Sequence, residues 1–450
     1  MKFGGTSVAD ARAIGRVVDI VRQQRDAQPA RPPIVVVSAL SKVTDGLIRT
    51  VQLARDGQAD DAAALVRQLC DRHTALANGL TSGARRDGLV AELRHQFDEL
   101  TGLVHALAVL REVSPRSHDA VVATGELASS RIVAAAFAEA ALASEWVDAR
   151  QAMITDDEHT LAAPDMGASC EQSRTHIGSV LSRGRIPVLG GFIGATPRGI
   201  TTTLGRGGSD YSAAIFGACL DADEIQIWTD VDGMLTADPR MVPDPVVVPQ
   251  LSFGEASELA YFGAKVLHPA TILPAVSKNI PVRILNSHQP RNPGTLITAE
   301  GRPDAPLAAL ACKRDVTVVD ITSTRMFMAH GFLRRLFEVF ERFRTAVDVV
   351  TTSEVSVSVT VDDGRRLPDI AAALQEFSQV ACEPQMAIVS VVGERLHDDP
   401  TLFARAITAL DRMPLRLVSQ AASRRNITFV LRDQDAPAAM ARLHAEFFQS

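Results

Sequence analysis

The chain has 450 residues and is 46% hydrophobic, enough to bury cores in two to four domains. Its formal net charge is −7, from 46 basic and 53 acidic residues, so no basic field marks a nucleic-acid partner. Cysteines 70, 170, 219, 312 and 382 stand singly, which argues against a structural zinc or a disulfide framework and fits a reducing, cytoplasmic setting. No apolar run approaches the ~20 residues of a bilayer span, so no membrane is expected as a partner.

The chain opens on "MKFGGTSVAD", a strand stub running into the Gly4-Gly5 turn, with Thr6 and Ser7 where a helix would be capped. Strands are expected at "PIVVVSAL" (33–40), "SEWVDA" (144–149), "IPVLGGFIGA" (186–195), "EIQIWTDV" (224–231) and "PVRILN" (281–286). Helical patterns lie between them at 89–110, 127–142 and 209–220. This alternation reads as a mostly parallel α/β sheet with helices on both faces, whose ligands bind at the carboxyl ends of the strands. The domain is expected over 1–297, and the polar, Pro/Gly-rich stretch 298–306 reads as a linker. Beyond it a strand, a helix and two strands occur twice, the pattern of ferredoxin-like βαββαβ modules. One module is expected over 316–384, inserted in a second made of 307–315 and 385–450.

Four stretches of the large domain carry chemistry. "TTTLGRGGSDYSAA" is a glycine turn holding Arg206 and ending in Ser209-Asp210 at a helix start, suited to an anion. "WTDVDGMLTADPR" is a strand end entering an Asp- and Gly-dense turn, and "FGAKVLHP" sets Lys265 after a Gly-Ala pair. "VVATGELASSR" puts Glu126 in a first helical turn, where a carboxylate also suits the helix dipole. Lysines, an arginine, glycine turns and carboxylates together describe phosphoryl transfer, where a protein positions reactants and neutralises charge. No GxxxxGK[ST], HRD–DFG set or GxSxG occurs.

These motifs, in this order and over nearly the whole chain, resemble the aspartate kinases of the amino-acid kinase family. The C-terminal pair resembles ACT domains. "VDVVTTSEVSVSVTVD" and the length are most similar to the lysine-sensitive, monofunctional class (aspartokinase III). The resemblance implies transfer of the ATP γ-phosphoryl group to the side-chain carboxylate of L-aspartate, the first step of lysine, threonine and methionine biosynthesis. It implies ATP with Mg²⁺, L-lysine as effector, and a homodimer or higher homo-oligomer formed through the ACT domains.

By the same resemblance Lys2 bridges phosphate oxygens in the transition state, and Asp210 orients Lys2 or a magnesium-bound water. Gly4, Gly5, Thr229, Asp230, Leu235, Arg240 and Lys265 line the nucleotide site, with Leu235 where such proteins usually carry a tyrosine. Thr44, Glu126, Phe192, Arg206 and Ser209 form the aspartate pocket: Arg206 clamps the α-carboxylate and Glu126 pairs with the α-ammonium. Met326, Phe332, Leu333, Val347, Asp348, Ser353 and Glu354 surround the effector. A strand of several residues normally precedes the lysine, so the resemblance implies chain upstream of Met1. Three alternatives stand beside this reading. Another amino-acid kinase does not predict Glu126 with Arg206, a pair suited to a free α-amino acid. A catalytically dead ACT-domain sensor predicts decayed glycine turns. The kinase half of a fusion with another lysine-pathway enzyme predicts a further domain beyond Ser450.

Overall fold

Three consecutive β-branched residues, Val35–Val37, form a strand buried on both faces, as suits the middle of a parallel sheet. Lys2–Phe3 pairs with it in parallel on one side, and Ile186–Gly190 on the other. The sheet runs Ser144–Trp146, Ile186–Gly190, Val35–Val37, Lys2–Phe3, Ile225–Thr229, Val282–Asn286 and then the antiparallel Thr295–Thr298. The computed structural model describes residues 1–263, 269–302, 307–326, 330–394, 396, 398–420 and 423–449. The chain divides into two compact units, Met1–Met234 with Val266–Ala299, and Leu235–Lys265 with Glu300–Ser450. By its internal contacts the stretch 235–263 groups with the second unit.

In the first unit the helices lie as the periodicity requires, but three expectations are corrected. Thr6 and Ser7 do not cap the first helix: they lie in a 3-10 turn, Gly5–Val8, and Asp10 caps the helix Ala11–Ala27 by accepting from the Ala13 N–H. The stretch 186–195 is not one strand. Phe192, with φ 68°, turns the chain after Gly190, and Ile193–Ala195 pairs instead with Thr201–Thr203 in a separate two-stranded sheet. Cys170 and Cys219 are joined by a disulfide that ties helix Met166–Ser182 to helix Gly208–Cys219. Packing of those two helices makes the pair, and spacing along the chain carries no sign of it. The stretch Pro115–Glu139 is long and apolar enough to cross a membrane, and most of it is buried within the unit. Core helices of this kind meet the same test, because burial in protein and burial in lipid select the same side chains.

In the second unit, the antiparallel sheet runs Val350–Thr352, Ser356–Val361, Ala309–Thr322, Gln379–Val392, Asn426–Arg432 and Leu415–Ser419. Its two long strands serve both βαββαβ halves, so the modules share one continuous sheet. The register shifts between Lys313 and Val316, and Asp315 and Gln385 both take φ 58°. Each half has its own core: Leu336, Phe340, Ile370 and Leu374 fill one, and Leu402, Met440 and Leu443 the other.

Candidate active site

Because the strands run parallel, Lys2–Phe3, Val35–Val37, Ile186–Gly190 and Ile225–Thr229 deliver their following residues to one edge. Lys2 is buried, and its Nζ lies 2.7 Å from Asp210 Oδ1, in the first turn of helix Gly208–Cys219. Gly4 follows at once, its N–H donating to Trp228 O at 3.0 Å; a Cβ there would stand 3.8 Å from the Lys2 ammonium. The turn is tied to the neighbouring strand end through Ser7, whose hydroxyl donates to Ser287 Oγ at 2.8 Å. Ser287 in turn donates to Thr229 O at 3.0 Å. Thr229 is half-buried and Asp230 exposed, with the threonine hydroxyl donating to the carboxylate at 3.2 Å.

Glu126 is 3% exposed in the first turn of helix Thr124–Glu139. Its Oε1 accepts from the Ala39 N–H at 3.1 Å, while Oε2 has no hydrogen-bond partner among the described residues. Burial raises its pKa from 4.5 to about 8, against the pull of the Ala39 and Glu126 N–H groups. Gly190 lies against Glu126, and a Cβ on Gly191 would stand 2.8 Å from Ser209 Cα, so only glycine admits the helix start this close. Phe192 is half-buried beside Gly208, its ring 2.7 Å from the Cβ position there. Thr44 is half-buried in the first turn of helix Val43–Arg55 and follows Val43, which packs on Gly125. Arg206 is exposed on the turn between left-handed Gly205 and Gly207, both with φ 74°.

The first unit therefore brings together Lys2, Gly4, Gly5, Glu126, Phe192, Ser209 and Asp210, with Thr44, Arg206, Thr229 and Asp230 on flanking turns. Leu235 and Arg240 belong to the second unit, where Leu235 bridges to Val247 and Arg240 pairs with Asp238 at 2.6 Å. Lys265 lies outside the described residues. Among the expected effector residues, Met326 is half-buried and Phe332 and Leu333 open the helix Phe332–Arg342. Val347 is half-buried, and Ser353 and Glu354 are exposed. Asp348 is not a free acid. Its side chain is 4% exposed, and Lys313 Nζ lies 2.9 Å from its Oδ1 and 3.1 Å from Asp362 Oδ2. The same ammonium stands 4.9 Å over the Tyr261 ring, whose phenol is pushed well up by burial and by Asp348.

Sequence reasoning missed Asp119, a fully buried carboxylate of helix Pro115–Val122 that organises the turns around Arg206. In "SPRSHDAVV" it stands among charged and polar residues at a helix start, and its distant donors leave no local mark. It also missed Ser7 and Ser287, whose hydroxyls link two strand ends.

Residues 1–286 match the model of the amino acid kinase family, and 389–447 match that of the ACT domain. Lysine-sensitive aspartokinase 3 of Escherichia coli is 34% identical, over 100% of this chain and 98% of that protein. The chain belongs to the aspartokinase family. Aspartokinase 3 of Arabidopsis thaliana, a chloroplast protein, is likewise 34% identical over 100% of this chain and 81% of its own length. The crystal structure of E. coli aspartokinase III with aspartate and ADP, in its R-state, superposes with a TM-score of 0.84 over 99% of both chains. The T-state of that enzyme, with lysine and aspartate, gives 0.82 over 99% of this chain and 98% of that one. Both solved chains are 34% identical to this aspartokinase.

Glu126 makes a testable contribution to stability. A buried acid that holds its proton more tightly in the folded chain favours the fold at low pH, and that advantage drains away as pH rises through the folded pKa. For Glu126 the window runs from 4.5 to about 8. Glu126→Gln is expected to flatten the melting profile of the ligand-free protein over that range. Coincident profiles for the two proteins would show that the carboxyl is not held protonated.

Proposed function

We propose that this aspartokinase moves the γ-phosphoryl group of ATP to the side-chain carboxylate of L-aspartate, giving 4-phospho-L-aspartate at the entry to lysine, threonine and methionine biosynthesis. One observation carries the assignment of its site: Glu126, buried with a spare oxygen, stands at the same sheet edge as the Lys2–Asp210 pair. An ammonium-seeking carboxylate beside a phosphate-seeking cation suits a free α-amino acid that is to be phosphorylated. The nucleophile is ionised at neutral pH, with a reference pKa near ~3.9, so no general base is needed. The barrier is the approach of one anion to a polyanion, lowered by cations and N–H donors positioned in advance.

Lys2 bridges the transferring phosphate oxygens, aided by the Gly4-Gly5 turn, and Asp210 fixes the direction of its ammonium. Arg206, whose guanidinium matches a carboxylate bidentately, takes the α-carboxylate, with Thr44, Phe192 and Ser209 lining the pocket. Thr229, Asp230, Leu235, Arg240 and Lys265 serve the nucleotide. Among the described residues no group of three or more His, Cys, Asp and Glu side chains is set to hold a metal. Mg²⁺ would therefore arrive on ATP, held by phosphates and waters, with Asp210 placed to orient a magnesium-bound water. Bound there, Mg²⁺ would neutralise phosphate charge. A cytoplasmic setting is the reading we keep, with the Cys170–Cys219 disulfide speaking against a reducing compartment.

Regulation is by L-lysine at the first ACT module, between neighbouring copies paired along the exposed edge strand Val350–Thr352. The lysine-bound E. coli structure supports this reading. The backbone of Phe332, Leu333 and Val347 holds the effector's α-groups beside Met326 and Ser353. Asp348 and Glu354 select its cationic side chain. Since Asp348 already neutralises Lys313, the effector's ammonium has to share that carboxylate with an internal lysine.

ADP release should depend on L-aspartate, and not on L-glutamate or N-acetylglutamate; equal turnover of the three would sink the assignment. Lys2→Ala should lower kcat by ~100-fold or more, the scale of losing a charge needed mainly in the transition state. Activity within a few-fold of wild type would remove Lys2 from the chemistry. Asp348→Asn should raise the lysine concentration for half-inhibition, and Lys313→Met, which frees the acid, should lower it. If both variants respond to lysine as wild type does, the effector lies elsewhere.

A further inference from the structure

Asp119 has no part in the reaction as described, yet its carboxylate is fully buried and surrounded by donors. The Thr203 hydroxyl donates to Oδ1 at 2.7 Å, and the Thr203 N–H to Oδ2 at 3.3 Å. The Thr160 N–H reaches Oδ2 at 3.0 Å, and His159 Nδ1 donates to the same oxygen at 2.8 Å. Burial acts to raise the pKa of this acid, but the nearby His118 ring, 3.8 Å away and not hydrogen-bonded to it, and the donors of Thr203, Thr160 and His159 outweigh burial and hold the group below the usual carboxylate value. The carboxylate thus binds two separate stretches of chain: the turn around His159 and the strand Thr201–Thr203.

Both stretches lead to Arg206. The strand ends at Thr203 and passes through Leu204 and Gly205 directly into the arginine. The turn closes on that strand where the Ala162 N–H donates to Thr203 O at 3.0 Å. It then lies against Gly205: a Cβ there would meet Leu161 Cδ2 at 2.5 Å and Thr160 O at 3.3 Å. Thr160 itself has φ 74°, a conformation that strains a β-branched residue and persists only where its surroundings enforce it. The N–H that Asp119 binds is the one belonging to that residue.

We propose that Asp119 is a positioning residue that sets the place of the Arg206 guanidinium, and with it the affinity for the amino-acid substrate. The inference rests on the reading of Arg206 as the α-carboxylate clamp. Asp119 and Glu126 follow one another along Pro115–Val122 and Thr124–Glu139, a nearly continuous helical stretch. One rigid element therefore holds the acid that meets the substrate's ammonium and the acid that anchors the turn meeting its carboxylate. The distance between the two ends of the α-amino-acid grip is set by that helix. A loop carrying Arg206 alone would leave the spacing free to drift.

The test compares Thr203→Val with Thr203→Ser in the full-length enzyme, because Asp119→Asn removes several bonds at once and risks the fold. Losing the Thr203 hydroxyl should raise the KM for aspartate by about tenfold, the scale of one hydrogen bond to a buried charge, with the KM for ATP within about twofold. Thr203→Ser, which keeps the hydroxyl, should restore the wild-type value. In an Arg206→Ala background Thr203→Val should add nothing further, since the group it positions is gone. Equal effects on both substrates, no rescue by serine, or full additivity with Arg206→Ala would each overturn the positioning role. If Arg206→Ala leaves the KM for aspartate unchanged, the reading of Arg206 falls and takes the proposal with it. If Arg206→Ala raises that KM and Thr203→Val does not, only the positioning role falls.

Discussion

An ammonium and a carboxylate 2.7 Å apart, largely screened from water, mark the place where the parallel strands of the first unit end. Such a pair is costly to bury, and apolar side chains of similar size would often be no less stable. Its cost is tolerable at a strand end, where a phosphate can take up the ammonium and strengthen the field around it. Everything that brings Asp210 to Lys2 serves this contact. Helix Gly208–Cys219 starts against Gly191, where a side chain would push Ser209 and its neighbour Asp210 away from the sheet edge.

On the amino-acid side the electrostatics are reversed. Glu126 is deep enough that, without a partner, it holds its proton near neutral pH. In the proposed role of Glu126, an incoming ammonium would supply the charge that the surroundings lack, and the carboxyl would ionise as the substrate seats. On that proposal the site would discriminate by compensation: a ligand without a free amino group would leave a buried acid protonated and gain nothing from it. That is the physical ground for preferring a free α-amino acid over an acylated one, and it depends on Glu126 staying dry. Ala39, Gly125 and Gly190 pack around the helix start and keep water from it.

How much of this was legible in the sequence follows from the range of each interaction. Strands such as Val35–Val37 and Ile225–Thr229 announce themselves by a short β-branched or apolar run, and the glycine turns after them by composition. Lys2, Glu126, Ser209 and Asp210 were readable because each sits on such a turn or helix start. Asp10 was passed over as cap in favour of Thr6 and Ser7, since all three are capping residue types and only the 3-10 turn decides between them. Asp119 was invisible, because its donors at 159, 160 and 203 converge only in the folded chain. The bond between Cys170 and Cys219 was hidden for the same reason. Phe192 shows the remaining limit: nothing in "VLGGFIGA" says which residue will take the left-handed turn that splits the run into two strands.

The second unit shows what an internal counter-ion does to a binding acid. Lys313 lies on a strand shared by both ACT halves, next to the register shift where one half gives way to the other. Its ammonium joins Asp348 to Asp362 and to the face of Tyr261, so the expected effector acid is already neutralised within its own chain. A neutralised acid costs little to bury, which allows Asp348 to sit where a bare carboxylate would not. A cationic effector then gains only the difference between its own contact and the one it loosens. Were the effector to bind at Asp348 as proposed, that competition would lower its affinity and deliver the energy of displacement to Lys313 on the shared strand. Coupling needs a contact that differs between the bound and free states, and on the proposed effector site the exchange of one ammonium for another would supply it.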